Sequence, residues 1–138
     1  MADRLPGYYF TLPGVTPALA VSLFGETDPI TAFRSPSQLV AFAGLDTSVF
    51  RTGQFTGENL PRHITKRGSP FLRHTLWTMA HRACYQPGDL RDYWLRRKRE
   101  GLHNLSAVTA TAIKLCHVVW RILTDKRDYL PQPPAGKS

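Results

Sequence analysis

Residues 104–123 read NLSAVTATAIKLCHVVWRIL, and this stretch decides the fold class. Its apolar residues recur at helical spacing and form one face, which comprises Leu105, Val108, Ala112, Leu115, Cys116, Val119, Ile122 and Leu123. Asn104 stands just before the apolar run and is suited to cap the helix. The pattern predicts a long C-terminal helix that carries much of the core.

Four shorter helices are predicted upstream of this stretch. Three of them open with the pairs Thr16-Pro17, Ser35-Pro36 and Ser69-Pro70, in which a capping residue precedes a proline at the first helical position. The fourth opens at Asp89, also read as an N-cap. The predicted ends are Gly25, Ala43 (before Gly44), residue 85 and Gly101.

These elements predict a mainly α fold, a single helical domain over residues 1–130. It has three longer C-terminal helices and an irregular loop or short hairpin near residues 46–60. Residues 131–138, PQPPAGKS, are predicted to be a disordered Pro-rich tail. The turn Leu12-Pro13-Gly14-Val15 resembles the hairpin of helix-hairpin-helix DNA-binding motifs, with Thr16 in place of the usual second glycine. An ordinary packing corner is the alternative for this segment.

The charge balance favours a polyanionic partner. The chain has 18 Lys and Arg residues against 10 Asp and Glu, a net charge of +8 and a pI near 10.0. The two cysteines lie in apolar helical patterns, as in a protein of a reducing cytoplasm. The sequence shows no signal peptide and no run of about 20 apolar residues, so no membrane partner is expected.

Two basic clusters are the candidate binding sites. Residues 62–73, RHITKRGSPFLR, carry cations up to a helix start whose free N–H groups favour a phosphate. Five of the nine residues 91–99 are basic, more than capping of a helix needs. A solvated basic surface that binds nothing, or one that meets an acidic protein, is the alternative. The candidate nucleic-acid-binding residues are Arg51, Arg62, His63, Lys66, Arg67, Ser69, Arg73, Arg96, Arg97, Lys98 and Arg99.

Metal ligation has little support in the sequence. His81 with Cys84, and Cys116 with His117, could in principle bind zinc, but no CxxC or HxxxH spacing accompanies them. The acidic residues form no tight cluster for magnesium. We therefore expect no metal site and no cofactor in this chain.

Three sequence stretches carry a family resemblance: residues 12–15 (LPGV), 33–45 (FRSPSQLVAFAGL) and 64–73 (ITKRGSPFLR), with weaker matches at residues 92–93 and 112–115. Together they resemble the second, C-terminal domain of insertion-sequence transposases of the "IS one-ten" family, which are RNA-guided DNA recombinases. The resemblance implies an α-helical domain that binds DNA and helps to cut and rejoin it. It places Thr52 at the family's nucleophilic serine, as the candidate catalytic residue, although the added methyl group crowds in-line attack.

The resemblance also carries expectations about partners. Family members have a first domain, similar to Holliday-junction resolvases, whose four acidic residues bind Mg²⁺, and these 138 residues contain no such quartet. We therefore expect a truncated or orphan domain, or half of a split system, that binds DNA but does not recombine it alone. A guide RNA, a separate acidic catalytic domain and a homo-oligomer stay open as partners. The expected location is the bacterial cytoplasm, associated with the nucleoid. The alternative function is a non-enzymatic nucleic-acid-binding remnant.

Overall fold

In the computed structural model, residues 5–45 and 69–130 are described, and they form five α-helices and two 3-10 turns, with no strand among them. This architecture confirms the predicted mainly α fold. The loop or hairpin predicted near residues 46–60 and the tail at residues 131–138 lie outside the described residues. The helices are α1 (Pro17–Thr27), α2 (Pro36–Ala43), α3 (Pro70–Ala83), α4 (Asp89–Arg99) and α5 (Asn104–Asp125), and the 3-10 turns are Gly7–Thr11 and Ile30–Ala32.

The C-terminal helix α5 is the centre of the fold. It packs against α2, α3, α4 and both 3-10 turns, while α1 packs on α3. Seven of its eight predicted core residues are buried. Leu105 is the exception at 65% exposure, because it lies in the first turn, ahead of the buried stretch that begins at Ala107. By length and composition α5 could cross a membrane, but half of its apolar stretch is buried inside the protein, as expected for the core helix of a globular domain.

The Ser/Thr-Pro pairs open helices as predicted. Thr16 Oγ1, Ser35 Oγ and Ser69 Oγ accept hydrogen bonds from the backbone N–H three residues later, at 3.2, 3.3 and 3.0 Å. Each satisfies a donor that the first turn of the helix leaves without a partner. Gly44 ends α2 in the left-handed conformation at φ 73°, also as predicted.

Several helix boundaries differ from the predictions, and α3 ends at Ala83 rather than at residue 85. Helix α1 continues past Gly25 to Thr27, whose buried hydroxyl donates to Leu23 O at 2.7 Å and lies 3.1 Å from Tyr9 Oη. Gly88 is the N-cap of α4 and His103 that of α5, without a side-chain capping bond, so the predicted caps Asp89 and Asn104 are the first helical residues. As the first residue of α4, Asp89 still places a carboxylate at the positive end of the helix dipole.

The turn at Leu12–Val15 is fixed by contact with α3. Gly14 has φ 72°, and a Cβ at this position would lie 2.0 Å from Met79 O. Its carbonyl accepts a hydrogen bond from Arg82 Nε at 2.9 Å. The described contacts of Gly14 are thus internal, as in the packing corner that was the alternative for this segment.

Candidate nucleic-acid interface

The start of α3 is bonded to a carboxylate from the same chain. Ser69 is buried, and its hydroxyl donates to Glu26 Oε1 at 2.5 Å while accepting from Leu72 N–H. Glu26, in α1, therefore lies near the helix N-terminus that the sequence assigned to a phosphate. Because the single hydroxyl hydrogen of Ser69 is donated to Glu26, it is not available to a phosphate oxygen. A phosphate at this helix start would have to displace Glu26.

The start of α3 is also joined to the end of α2. Ser69 N–H donates to Phe42 O at 2.8 Å, and a Cβ at Gly44 would lie 3.0 Å from Arg73 Nη1. Arg73 is exposed, so its guanidinium remains available to an anion. The other predicted contacts in this region, Arg51, Arg62, His63, Lys66 and Arg67, and the candidate nucleophile Thr52, lie outside the described residues.

The basic end of α4 is organised around two aromatic rings. Arg96 and Arg97 lie with their guanidinium carbons 5.3 and 5.8 Å from the centre of the Tyr93 ring. Lys98 Nζ lies 4.7 Å from the centre of the Trp94 ring. Such cation–π contacts contribute about 0.5–1 kcal/mol at exposed sites and orient the cations.

The remaining charges of this helix end differ in their surroundings. Arg97 Nη1 also donates to Glu100 Oε1 at 2.9 Å, an exposed pair of the kind that adds at most about 1 kcal/mol of stability. Arg99 is exposed. The predicted cluster of residues 96–99 therefore lies on the surface, with one of its four cations paired to a carboxylate.

A third cation reaches the Tyr93 ring from another helix. Lys114 of α5 lies with Nζ 5.2 Å from the ring centre. His117 and Arg121 follow Lys114 at spacings of three and seven residues, so they continue the same side of α5, and all three are exposed. We call the surface formed by Tyr93, Arg96, Arg97, Lys114, His117 and Arg121 the α4–α5 basic face.

A cavity of about 310 Å³ lies along this face. Its polar lining includes Lys114, His117, Arg121 and Arg127, with Asp89 as an acidic member. This part of the site was not predicted, because the sequence pattern of α5 indicated only a core helix. The available signal was the polar side of that helix, where Lys114, His117 and Arg121 share one stripe opposite the apolar face.

Burial makes the thiols poor ligands and poor nucleophiles. Burial raises the pKa of Cys84 to about 11 and that of Cys116 to about 12. Both cysteines are free and buried. In residues 5–45 and 69–130, no three His, Cys, Asp or Glu side chains are grouped as a metal site would require.

Comparison with known proteins identifies the family of the chain. Residues 9–95 match the family described as Transposase IS116/IS110/IS902. The chain belongs to this transposase family. The match covers α1 to α3 and most of α4, including Tyr93, and agrees with the resemblance drawn from residues 12–15, 33–45 and 64–73.

A similar relative of this transposase-family chain is known from Streptomyces clavuligerus. It is described as the insertion element IS116 uncharacterized 44.8 kDa protein, and the two sequences are 30% identical over 128 residues. The aligned region covers 93% of this chain but 31% of the relative. The chain therefore spans about a third of the length of the relative that it matches.

Proposed function

We propose that this transposase-family chain binds DNA through the α4–α5 basic face. The observation that carries the proposal is the gathering of Arg96, Arg97 and Lys114, from two helices, around the single ring of Tyr93. Like charges repel one another, so a cluster of this kind is most favourable when a polyanion neutralises it. The phosphates of DNA supply that charge at regular spacing along each backbone.

The distribution of acids supports the same proposal. Glu100 pairs with Arg97, and Asp89 lines the neighbouring cavity. Asp92 and Asp125 lie on the same sides of α4 and α5, four residues from Arg96 and Arg121, and Asp125 pairs with Arg127. Five cations, Arg96, Arg97, Lys114, Arg121 and Arg127, thus stand against four carboxylates, so the surface keeps a small net positive charge, and its arginines can contact phosphates in a bidentate geometry.

The test is the salt dependence of binding to a labelled DNA duplex, followed by fluorescence anisotropy. Lys114→Gln and Arg96→Gln should each weaken binding and reduce the slope of log K against log salt by about 1. Arg91→Gln is the matched control, because this exposed arginine of α4 lies five residues before Arg96 and so about 140° around the helix. Equal effects of all three variants would contradict the proposed face.

We further propose that strand cleavage and rejoining require an acidic, magnesium-binding region in addition to these 138 residues. The described acids are not grouped as such a site needs, so no step of the reaction is assigned to a metal held by this part of the chain. Purified chain with Mg²⁺ and supercoiled plasmid should bind the plasmid without strand transfer. Robust strand transfer by the chain alone would contradict this proposal.

The role of Thr52 separates a recombinase region from a binding remnant. In the presence of the acidic region, a covalent protein–DNA adduct that is lost in Thr52→Ala would support the recombinase function. Absence of any adduct, with DNA binding intact, would favour the remnant. A guide RNA and self-association stay predictions from the resemblance. Family membership fits a cytoplasmic protein, and association with the nucleoid is proposed as a consequence of DNA binding.

A further inference from the structure

A second surface, on α3, has a different chemistry from the α4–α5 basic face. Trp77 and His81 stack with ring centres 5.3 Å apart at 8°, and Tyr85 meets His81 at 5.3 Å. Trp94 of α4 continues the row, 5.5 Å from Tyr85. We call these four rings the α3 aromatic stripe: Trp77 and His81 lie four residues apart on one side of α3, Tyr85 lies just after the end of that helix, and Trp94 adds a ring from α4.

The stripe is open to solvent at Tyr85. This side chain is 62% exposed, whereas Trp94 beneath it is 7% exposed, and Trp77 and His81 are half-buried. The buried ring of Trp94 holds the base of the row in place, and Tyr85 presents an aromatic ring to the solvent. Trp77 and His81 stack, Tyr85 meets His81 edge to face at 73° and Trp94 at 59°, and these contacts limit the conformations of the row before any ligand arrives, which lowers the entropic cost of binding.

Cations flank the aromatic stripe at both ends. Lys98 Nζ lies over the Trp94 ring, and the exposed Arg73 lies four residues before Trp77, on the same side of α3. Proteins that bind single-stranded nucleic acids combine aromatic rings with nearby cations: the bases stack on the rings and the phosphates contact the positive charges. A base paired within a duplex has no free face for such contact.

We propose that the α3 aromatic stripe binds single-stranded DNA by stacking an unpaired base on Tyr85, with Lys98 contacting a neighbouring phosphate and Arg73, about 18 Å away along α3, contacting a phosphate further along the strand. The proposal rests on the proposed DNA-binding function and refines it, since it assigns duplex and unpaired DNA to two surfaces. Helix α4 connects the two surfaces. Its side with Trp94 and Lys98 belongs to the aromatic stripe, and its side with Tyr93 and Arg97, about 100° away, belongs to the basic face.

The test compares the affinity of the protein for a labelled oligothymidylate of 12 nucleotides with its affinity for a DNA duplex. Tyr85→Ala should weaken single-strand binding about 5- to 150-fold, the range for the loss of one stacked base, and leave duplex binding unchanged. Tyr85→Phe, which keeps the ring, should bind like the wild type. Phe71→Ala is the matched control, because Phe71 is 73% exposed on the same helix but lies about 120° from Trp77 around it.

An oligonucleotide of abasic residues separates stacking from charge. It keeps the phosphates and lacks the bases, so Tyr85→Ala should not change its affinity, whereas Lys98→Gln should weaken it. Equal losses in Tyr85→Ala and Phe71→Ala, or a Tyr85→Ala loss on the abasic strand, would overturn the proposal. Tighter binding of the equivalent RNA than of DNA would overturn the choice of single-stranded DNA.

The two proposals fail in distinguishable ways. Wild-type protein that binds neither duplex nor single strand contradicts the DNA-binding function itself. If duplex binding depends on salt as expected but Tyr85→Ala leaves single-strand affinity unchanged, only the proposal for the aromatic stripe is contradicted. Thermal unfolding of each variant identifies any loss of affinity that follows from loss of the fold.

Discussion

Replacing Ser69 by alanine should destabilise the protein more than the same change at Ser35. Both serines precede a proline and cap a helix, and both accept a backbone N–H three residues later. Loss of a cap costs about 1 kcal/mol in typical cases. Ser69 is buried and also donates to Glu26, whereas the capping bond of Ser35 is exposed.

The structure gives the size of the difference. A hydrogen bond to a charged group contributes about 1.5–3 kcal/mol, and the partial exposure of Glu26 reduces this to about 1. We therefore expect Ser69→Ala to lower the free energy of unfolding by about 2 kcal/mol, against about 1 kcal/mol for Ser35→Ala. Urea denaturation, followed by the circular dichroism of the helices, measures both values under identical conditions.

A double-mutant cycle isolates the bond between the two side chains. If the hydroxyl of Ser69 and the carboxylate of Glu26 stabilise each other, Ser69→Ala and Glu26→Ala combined should cost about 1 kcal/mol less than the sum of the single changes. Equal costs for Ser69→Ala and Ser35→Ala, with no coupling to Glu26, would refute the inference that this carboxylate stabilises the start of α3.

Two further predictions concern the turn before α1 and the thiols. Gly14→Ala should lower the free energy of unfolding by more than about 2 kcal/mol, because φ is positive and the new Cβ would clash with Met79 O. Gly25→Ala should instead raise it by up to about 1 kcal/mol, because Gly25 lies inside α1 with open space around it. Urea denaturation measures both changes. A stable Gly14→Ala variant would contradict the close approach of the turn to α3. The raised pKa values of Cys84 and Cys116 should slow their alkylation by iodoacetamide at pH 8. We expect the folded protein to react at least about 100-fold more slowly than the protein in denaturant. Equal rates would show that the thiols are not buried.

Local chemistry explains which parts of the fold could be predicted. The caps at Thr16, Ser35 and Ser69 involve atoms only three residues apart, so they can be predicted from the local sequence. The buried side of α5 follows from helical spacing alone and can be predicted in the same way. The continuation of α1 to Thr27 depends on a hydroxyl that meets Tyr9, which lies 18 residues earlier. A glycine at position 25 is a reasonable helix end until that contact is known.

The candidate site shows the same limit more strongly. The cluster at residues 96–99 was visible as a run of charges, but the approach of Lys114 to Tyr93 joins two helices and has no local signal. The contact of Glu26 with Ser69 spans 43 residues, and it places a carboxylate where local reasoning expected a phosphate. Basic residues can thus be listed from the sequence, whereas their grouping, and the acids that neutralise them, depend on tertiary packing.

The hydrogen bond from Ser69 N–H to Phe42 O has a consequence for the stretch of chain between α2 and α3. Because α2 and α3 meet at that bond, the helical body specifies where the intervening 46–68 stretch departs and where it rejoins. Doubling the length of such an insert adds only about 0.6 kcal/mol of closure entropy. The helical scaffold therefore tolerates a change in the length of this stretch at little cost in stability.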